Sequence, residues 1–189
     1  MNKHPLLFWQ PKKDLLRLLS SFGFGRIMLI VLNYTIWVFF IFLSYQLIKT
    51  DINIFWQLFL ATLLAEYLEK IIKKNIFWRR PMFLRHDKTP AGLVDSWYCT
   101  GSFPSGHAIK TFFFLFFLIQ YSVFSLPIFF AIVLPLLFFR VLVGFHYPID
   151  ILGGAIIGFL IWLPSHFVVF SLNINQYLEI IFKTVFFIK

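Results

Sequence analysis

The sequence predicts an all-α protein built as a multi-pass bundle of transmembrane helices. Three observations carry that expectation. Hydrophobic residues make up 60% of the 189 residues and charged residues only 13%, against about 25% charged in a soluble domain. The chain holds 28 phenylalanines, more apolar surface than a soluble fold of this size could hide from water. Finally, the apolar residues gather into five long segments, 27–48, 54–74, 105–124, 127–145 and 148–170, each near the roughly 20 residues that cross a bilayer as a helix. Strands are excluded as spanning elements, because an open sheet edge in lipid leaves backbone groups unpaired.

Taken in order, residues 1–26 read as an interfacial segment. Leu15, Leu16, Leu18, Leu19 and Phe22 recur at helical spacing, with Lys13, Asp14 and Arg17 between them, the pattern of a short helix over 13–24 lying in the membrane interface. This is not a signal peptide: the apolar stretch from Pro5 to Trp9 is short and runs into Pro11, Lys12 and Lys13. The second apolar segment ends in Glu66, Glu69, Lys70 and Lys73. Glu66 with Lys70 and Glu69 with Lys73 are spaced to pair as i,i+4 neighbours, and charge at that depth also marks a polar pocket. The longest polar connection, 82–103, carries Arg85, His86, Asp87, Lys88, Asp95, Trp97 and Tyr98. A lid and a solvated connector fit it equally. The tail, 177–189, is either a second interfacial helix or part of a sixth span. There is no internal repeat and no linker, so the chain reads as one membrane-embedded domain, 1–189.

The net charge of +9 fits anionic lipid headgroups, an anionic substrate and ordinary juxtamembrane anchoring; nucleic acid is not an expected partner. The one cysteine, Cys99, forms no internal disulfide and fits no zinc pattern. His4, His86 and His166 fit no ligand spacing and no carboxylate cluster is present, so no metal and no cofactor are expected.

Three polar clusters interrupt the apolar background: Lys73 through Arg80-Pro81; Pro104-Ser105-Gly106-His107; and Arg140 followed by His146 and Asp150. Counting crossings puts all three on one membrane face. If the second helix continues to Arg80, Lys73 and Arg80 share a face two turns apart. Pro81 ends it there and leaves the guanidinium to grip phosphate oxygens with its fork. Ser105 is a natural N-cap, the amides that follow form an anion site, and Gly106 lets a phosphate approach the backbone. His107, in that first turn, is in reach of a leaving-group oxygen. Asp150, four residues after His146 across Pro148, is placed to accept a hydrogen bond from one imidazole nitrogen and leave the other free to attack. Singly, each residue has an ordinary structural explanation; jointly, on one face of so uncharged a chain, they do not.

Together these residues resemble the signature of the type 2 phosphatidic acid phosphatases, the PAP2 superfamily: Lys-x6-Arg-Pro, then Pro-Ser-Gly-His, then Ser-Arg-x5-His-x3-Asp. The resemblance covers residues 54–170 and, in its short form, is similar to bacterial undecaprenyl-diphosphate and phosphatidylglycerophosphate phosphatases. It implies a PAP2-like helical bundle that acts on a membrane lipid phosphate or diphosphate, undecaprenyl diphosphate first among them. His146 would attack phosphorus to form a phosphohistidine, Asp150 would orient it, and His107 would protonate the leaving oxygen and then activate water. Lys73, Arg80, Ser105, Gly106 and Arg140 would hold the phosphoryl oxygens without a metal. One position departs: Phe139 stands where the signature has serine, which removes one possible hydrogen bond to phosphate.

Other substrates fit the same residues: phosphatidic acid, phosphatidylglycerophosphate, lipid A phosphate or a sugar phosphate. A vanadate-dependent haloperoxidase shares the constellation, but those are longer and mostly soluble. A non-catalytic lipid-binding or transport protein would need the cations and not both His107 and His146. The resemblance implies a bacterial inner membrane and an extracytoplasmic active site, whereas Lys12, Lys13, Arg17 and Arg26 ahead of the first span pull that face inward by the positive-inside rule. The expectation followed here is the family's. Oligomeric state leaves no mark on the sequence.

Overall fold

The computed structural model describes residues 6–10, 23–75, 77–84 and 101–185. The helix expected over 13–24 lies outside these residues except at its end, as does most of the 82–103 connection. Every regular element among the described residues is a helix: α1 (Gly23–Thr50), α2 (Ile52–Lys74), α3 (Pro81–Leu84), α4 (Gly106–Tyr121), α5 (Leu126–Leu142), α6 (Pro148–Ser165) and α7 (Leu172–Val185). The five apolar segments become α1, α2, α4, α5 and α6. Among the described residues only α1 and α6 are long and apolar enough to cross a membrane, so the five expected spans are not all matched; α4 and α5 are apolar but shorter.

α1 and α2 form a hairpin turned at Asp51. Its carboxylate caps α2 by accepting from the amides of Asn53 (2.8 Å) and Ile54 (3.2 Å), a contribution of about 1 kcal/mol. The inner face of α1 is set by Ile36, Phe39, Leu43 and Leu47, all buried and spaced three or four apart. They pack on Phe55, Leu58 and Ala61 of α2 and Phe113, Phe114 and Phe117 of α4. The outward positions are apolar too: Val31, Val38 and Ile41 on α1, Leu134 and Phe138 on α5, Ile156 and Leu160 on α6 are exposed.

The closest helix pair is α4 with α6, and glycines permit it. A methyl group on Gly154 would come within 2.6 Å of the Ala108 Cβ, and one on Gly158 within 2.5 Å of the Ile109 carbonyl oxygen. This is the small-residue packing of tightly apposed helices, and it sets the start of α4 against the start of α6. There the Ser105 amide donates to the Asp150 carbonyl (3.1 Å).

Two expectations change. α2 ends at Lys74, where Asn75 turns extended (ψ 106°) and its amide caps back to Ile72; Pro81 opens the short α3 instead of closing α2. The segment 77–84 folds back across the bundle end, tied by Ser102 N–H to the Trp78 carbonyl and Met82 N–H to the Gly144 carbonyl. That pull, not a continuous helix, brings Arg80 inward. The tail forms α7, a 14-residue helix, packed through Phe182 on Phe55 and Trp56 at the end where α1 turns into α2.

Candidate active site

The three polar clusters meet at one end of the bundle, where α2 and α5 finish and α4 and α6 begin. Arg80, Arg140 and His146 are 2%, 5% and 1% exposed, and Asp150 is wholly buried. Burying ions this way costs several kcal/mol each unless something neutralises them.

His146 sits in the turn between α5 and α6, just after Gly144, whose φ of 87° is one that side-chain-bearing residues rarely adopt. Its Nδ1 lies 2.9 Å from the Ser102 carbonyl oxygen and 3.5 Å from Asp150 Oδ2. A carbonyl only accepts, so Nδ1 carries the proton and Nε2 carries the lone pair. Nε2 faces Arg80 Nη1 at 3.5 Å. Burial first, then the charges of Arg80 and Arg140, push the His146 imidazole well below its ordinary pKa, so it is neutral at physiological pH.

The direct His146–Asp150 hydrogen bond expected from their spacing is thus replaced by one to the Ser102 backbone, with Asp150 at ion-pair distance. The reason is that the carboxylate is engaged elsewhere. Oδ1 accepts from Trp78 Nε1 (2.9 Å); Oδ2 accepts from the Ser102 hydroxyl and from the Tyr147 amide (2.8 Å), capping α6. Asp150 therefore fixes Ser102, whose carbonyl fixes His146.

Arg80 donates to the Phe145 carbonyl (3.3 Å). Burial lowers its pKa to about 10, against the opposing pull of Asp150 and Glu69, and it remains cationic. Arg140 reaches Asn33 Oδ1 (3.4 Å) and lies over the Phe145 ring (5.5 Å). Its Nε has no hydrogen-bond partner and it joins no ion pair among the described residues. Phe139, just before it, is half-buried.

Ser105 caps α4 through Ala108 N–H (3.4 Å), and the Phe103–Pro104 bond before it is cis. Gly106 follows, and His107 Nε2 donates to the Asn33 carbonyl (2.8 Å), which leaves Nδ1 for proton transfer. Lys73 pairs with Glu69 as expected from their spacing, but Glu66 pairs with Lys110 in place of Lys70. Every predicted site residue, Lys73, Arg80, Ser105, Gly106, His107, Arg140, His146 and Asp150, falls in this region.

Four contributors were missed: Ser102 and Trp78 around Asp150, Asn33 of α1 touching both His107 and Arg140, and the buried Lys110. Of these only Lys110 left a clear signal, a lysine one turn beyond His107 in an otherwise apolar run. Among the described residues no group of three or more His, Cys, Asp or Glu side chains is arranged to hold a metal. Compared with known families, residues 54–174 match the model described as PAP2 superfamily. A search of curated proteins and a search of solved structures return no significant match.

Proposed function

The chain belongs to the PAP2 superfamily, whose chemistry is phosphoester hydrolysis, and on that premise we propose that it is an integral-membrane, metal-independent phosphatase of lipid phosphates or diphosphates, with undecaprenyl diphosphate as its foremost substrate. The observation that carries the reading is Arg140: a buried guanidinium beside buried Arg80, with an unpartnered Nε and no ion pair among the described residues. A buried cation with hydrogen-bonding capacity to spare is a seat for an anionic ligand, and neutral His146 stands next to it.

The His146 tautomer sets the first step. His146 Nε2 attacks phosphorus; the N–P bond forms as the bond to the leaving oxygen breaks. His107, which must take up a second proton at Nδ1 along with the anionic substrate and so enter the step as the imidazolium, gives that proton to the leaving oxygen. Now neutral, His107 takes a proton from water, the hydroxide oxygen attacks phosphorus, and the N–P bond breaks to free phosphate and His146. Lys73, Arg80, Arg140, Ser105 and the Gly106 backbone hold the non-bridging oxygens and supply the positive charge.

Membrane insertion is supported by the length and composition of α1 and α6 and by apolar side chains on the outer as well as the inner faces of the bundle. The family implies an extracytoplasmic site in a bacterial inner membrane. Cys99, the one cysteine and part of the connection between α3 and α4, gives a handle for testing this with a membrane-impermeant maleimide on intact cells.

The activity test is phosphate release by purified protein from a panel of undecaprenyl diphosphate, phosphatidic acid and phosphatidylglycerophosphate in excess EDTA. Release with the diphosphate turned over fastest is expected. No release from any lipid phosphate, or turnover that EDTA abolishes and Mg²⁺ restores, contradicts the proposal.

A further inference from the structure

Residues 6–10 come from outside the family-matched stretch, yet they lie against the start of α6. The Trp9 amide donates to the Leu6 carbonyl (3.4 Å) and closes a turn. From that turn the Leu7 carbonyl accepts from the Ile149 amide (3.2 Å). Ile149 is in the first turn of α6, where amides have no acceptor within the helix, so the N-terminal segment supplies one. Phe8 sets its ring against two others, Trp78 at 5.2 Å, edge-on, and Tyr147 at 5.2 Å. Leu6, by contrast, is 71% exposed.

Both neighbours of Phe8 hold Asp150. Trp78 Nε1 donates to Oδ1 (2.9 Å) and the Tyr147 amide donates to Oδ2 (2.8 Å). The Ser102 hydroxyl also donates to Oδ2, and the Ser102 carbonyl accepts from His146 Nδ1 (2.9 Å). A path of direct contacts thus runs from Phe8 through Trp78, Asp150 and Ser102 to the imidazole. Trp78 is its weak point. The residue lies outside any helix, so ring packing, on Phe8 and on Phe103 (5.3 Å), sets the direction of its indole. Oδ1 has no other donor among the described residues, and a carboxylate wholly cut off from water depends on each donor it has.

We propose that Phe8 is a positioning residue of the active site: by fixing the Trp78 indole on Asp150 it holds Ser102, and through Ser102 it holds His146 in the tautomer that leaves Nε2 free to attack. The inference rests on the phosphatase reading and adds to that site a residue of the N-terminal segment. The two ring contacts of Phe8 are on the Asp150 side of the site, so its loss slows turnover and leaves substrate affinity in place.

The experiment uses the full-length protein in detergent and two readouts. One is kcat and KM on the lipid phosphate that it turns over fastest. The other is the ¹⁵N NMR spectrum of protein labelled in its histidine rings, with the His146 signals identified by their loss in His146→Ala. Phe8→Ala lowers kcat by about tenfold, leaves KM within about twofold, and turns His146 from the single Nδ1–H tautomer into a mixture of both. Phe8→Tyr keeps the ring and restores kcat and tautomer together. Leu6→Ala changes neither. If Phe8→Ala does not fold, Phe8→Leu fills the space without an aromatic face and gives the same comparison. A folded Phe8→Ala protein that keeps the wild-type tautomer overturns the assignment, whether its kcat holds or falls only along with its melting temperature. A rise in KM at constant kcat also overturns it, by putting Phe8 on the substrate. The two readings fail separately. A tautomer that depends on Phe8, in a protein that releases no phosphate from any lipid, refutes the phosphatase and keeps the positioning. Phosphate release with a tautomer indifferent to Phe8 refutes the positioning and keeps the phosphatase.

Discussion

The two ends of the bundle bury polar groups in opposite ways. At the end where α1 turns into α2 the buried groups are neutral and bond chiefly to one another. Gln57 donates to the carbonyls of His166 (3.3 Å) and Val168 (3.2 Å) and accepts from the Tyr121 hydroxyl, while Asn175 of α7 donates to Asn53 (2.6 Å). At the other end the groups are ionic. Among the described residues each end leaves buried atoms without a hydrogen bond, Asn175 Oδ1 and His166 Nδ1 at the neutral end and Arg140 Nε at the ionic one. The difference is charge: a buried cationic cluster costs more to leave incompletely paired than a neutral amide or imidazole atom, and it is the kind of site that an anionic ligand completes.

Substitutions at the two ends should therefore separate activity from stability. The largest effect is expected from His146→Ala, which removes the proposed nucleophile and lowers phosphate release by about 10⁴-fold or more with little change in thermal stability; a drop within tenfold would break the contrast. His107→Ala comes next, slowed by about 10²–10⁴-fold. The penalty is smaller on a diphosphate than on phosphatidic acid, because a phosphate leaving group needs less protonation than an alkoxide. Equal penalties on the two substrates would remove His107 from the leaving-group side.

Gln57→Leu inverts the pattern. It strips partners from two carbonyls and the Tyr121 hydroxyl and costs about 1–3 kcal/mol of stability, read as a lower melting temperature in detergent, while kcat/KM on the same lipid changes by less than about twofold. Loss of activity in a folded Gln57→Leu protein would show that the ends are coupled. The smallest effect is Phe139→Ser, which restores a hydroxyl beside Arg140 and keeps activity or raises it by about threefold at most. An inactive, folded Phe139→Ser protein would mean that the phenylalanine packs a wall the site needs.

The ionic end was the more legible of the two in the sequence. Charge is rare in this chain, so Lys73, Arg80, His107, Arg140, His146 and Asp150 stood out, and counting crossings brought them to one face. What escaped was whatever depends on backbone atoms or on partners distant in sequence. The Ser102 carbonyl that fixes His146 is 44 residues away from it, and no side-chain pattern encodes a carbonyl. Spacing alone put Asp150 on the imidazole; it does not reveal that Trp78, Ser102 and Tyr147 claim the carboxylate first. Arg80 was placed by assuming that α2 continues, when helix termination at Asn75 and the fold-back of 77–84 bring it in. The hairpin turn at Asp51 and the Gly154–Gly158 contact have plain sequence signals, an N-cap residue and small residues four apart, but the neutral pairs around Gln57 and Asn175 join α2 to distant carbonyls and to α7 and carry none.

Neutral His146, with its lone pair at Nε2, is the proposed nucleophile, and rapid quench of the purified enzyme with substrate labelled with ³²P in the terminal phosphate tests that most directly. A transient base-stable, acid-labile phosphoryl label is expected on the wild-type chain, at His146, and no label on His146→Ala. Label on the His146→Ala protein, or none on an active wild type sampled within a single turnover, would contradict it: the nucleophile would then be another residue or water itself.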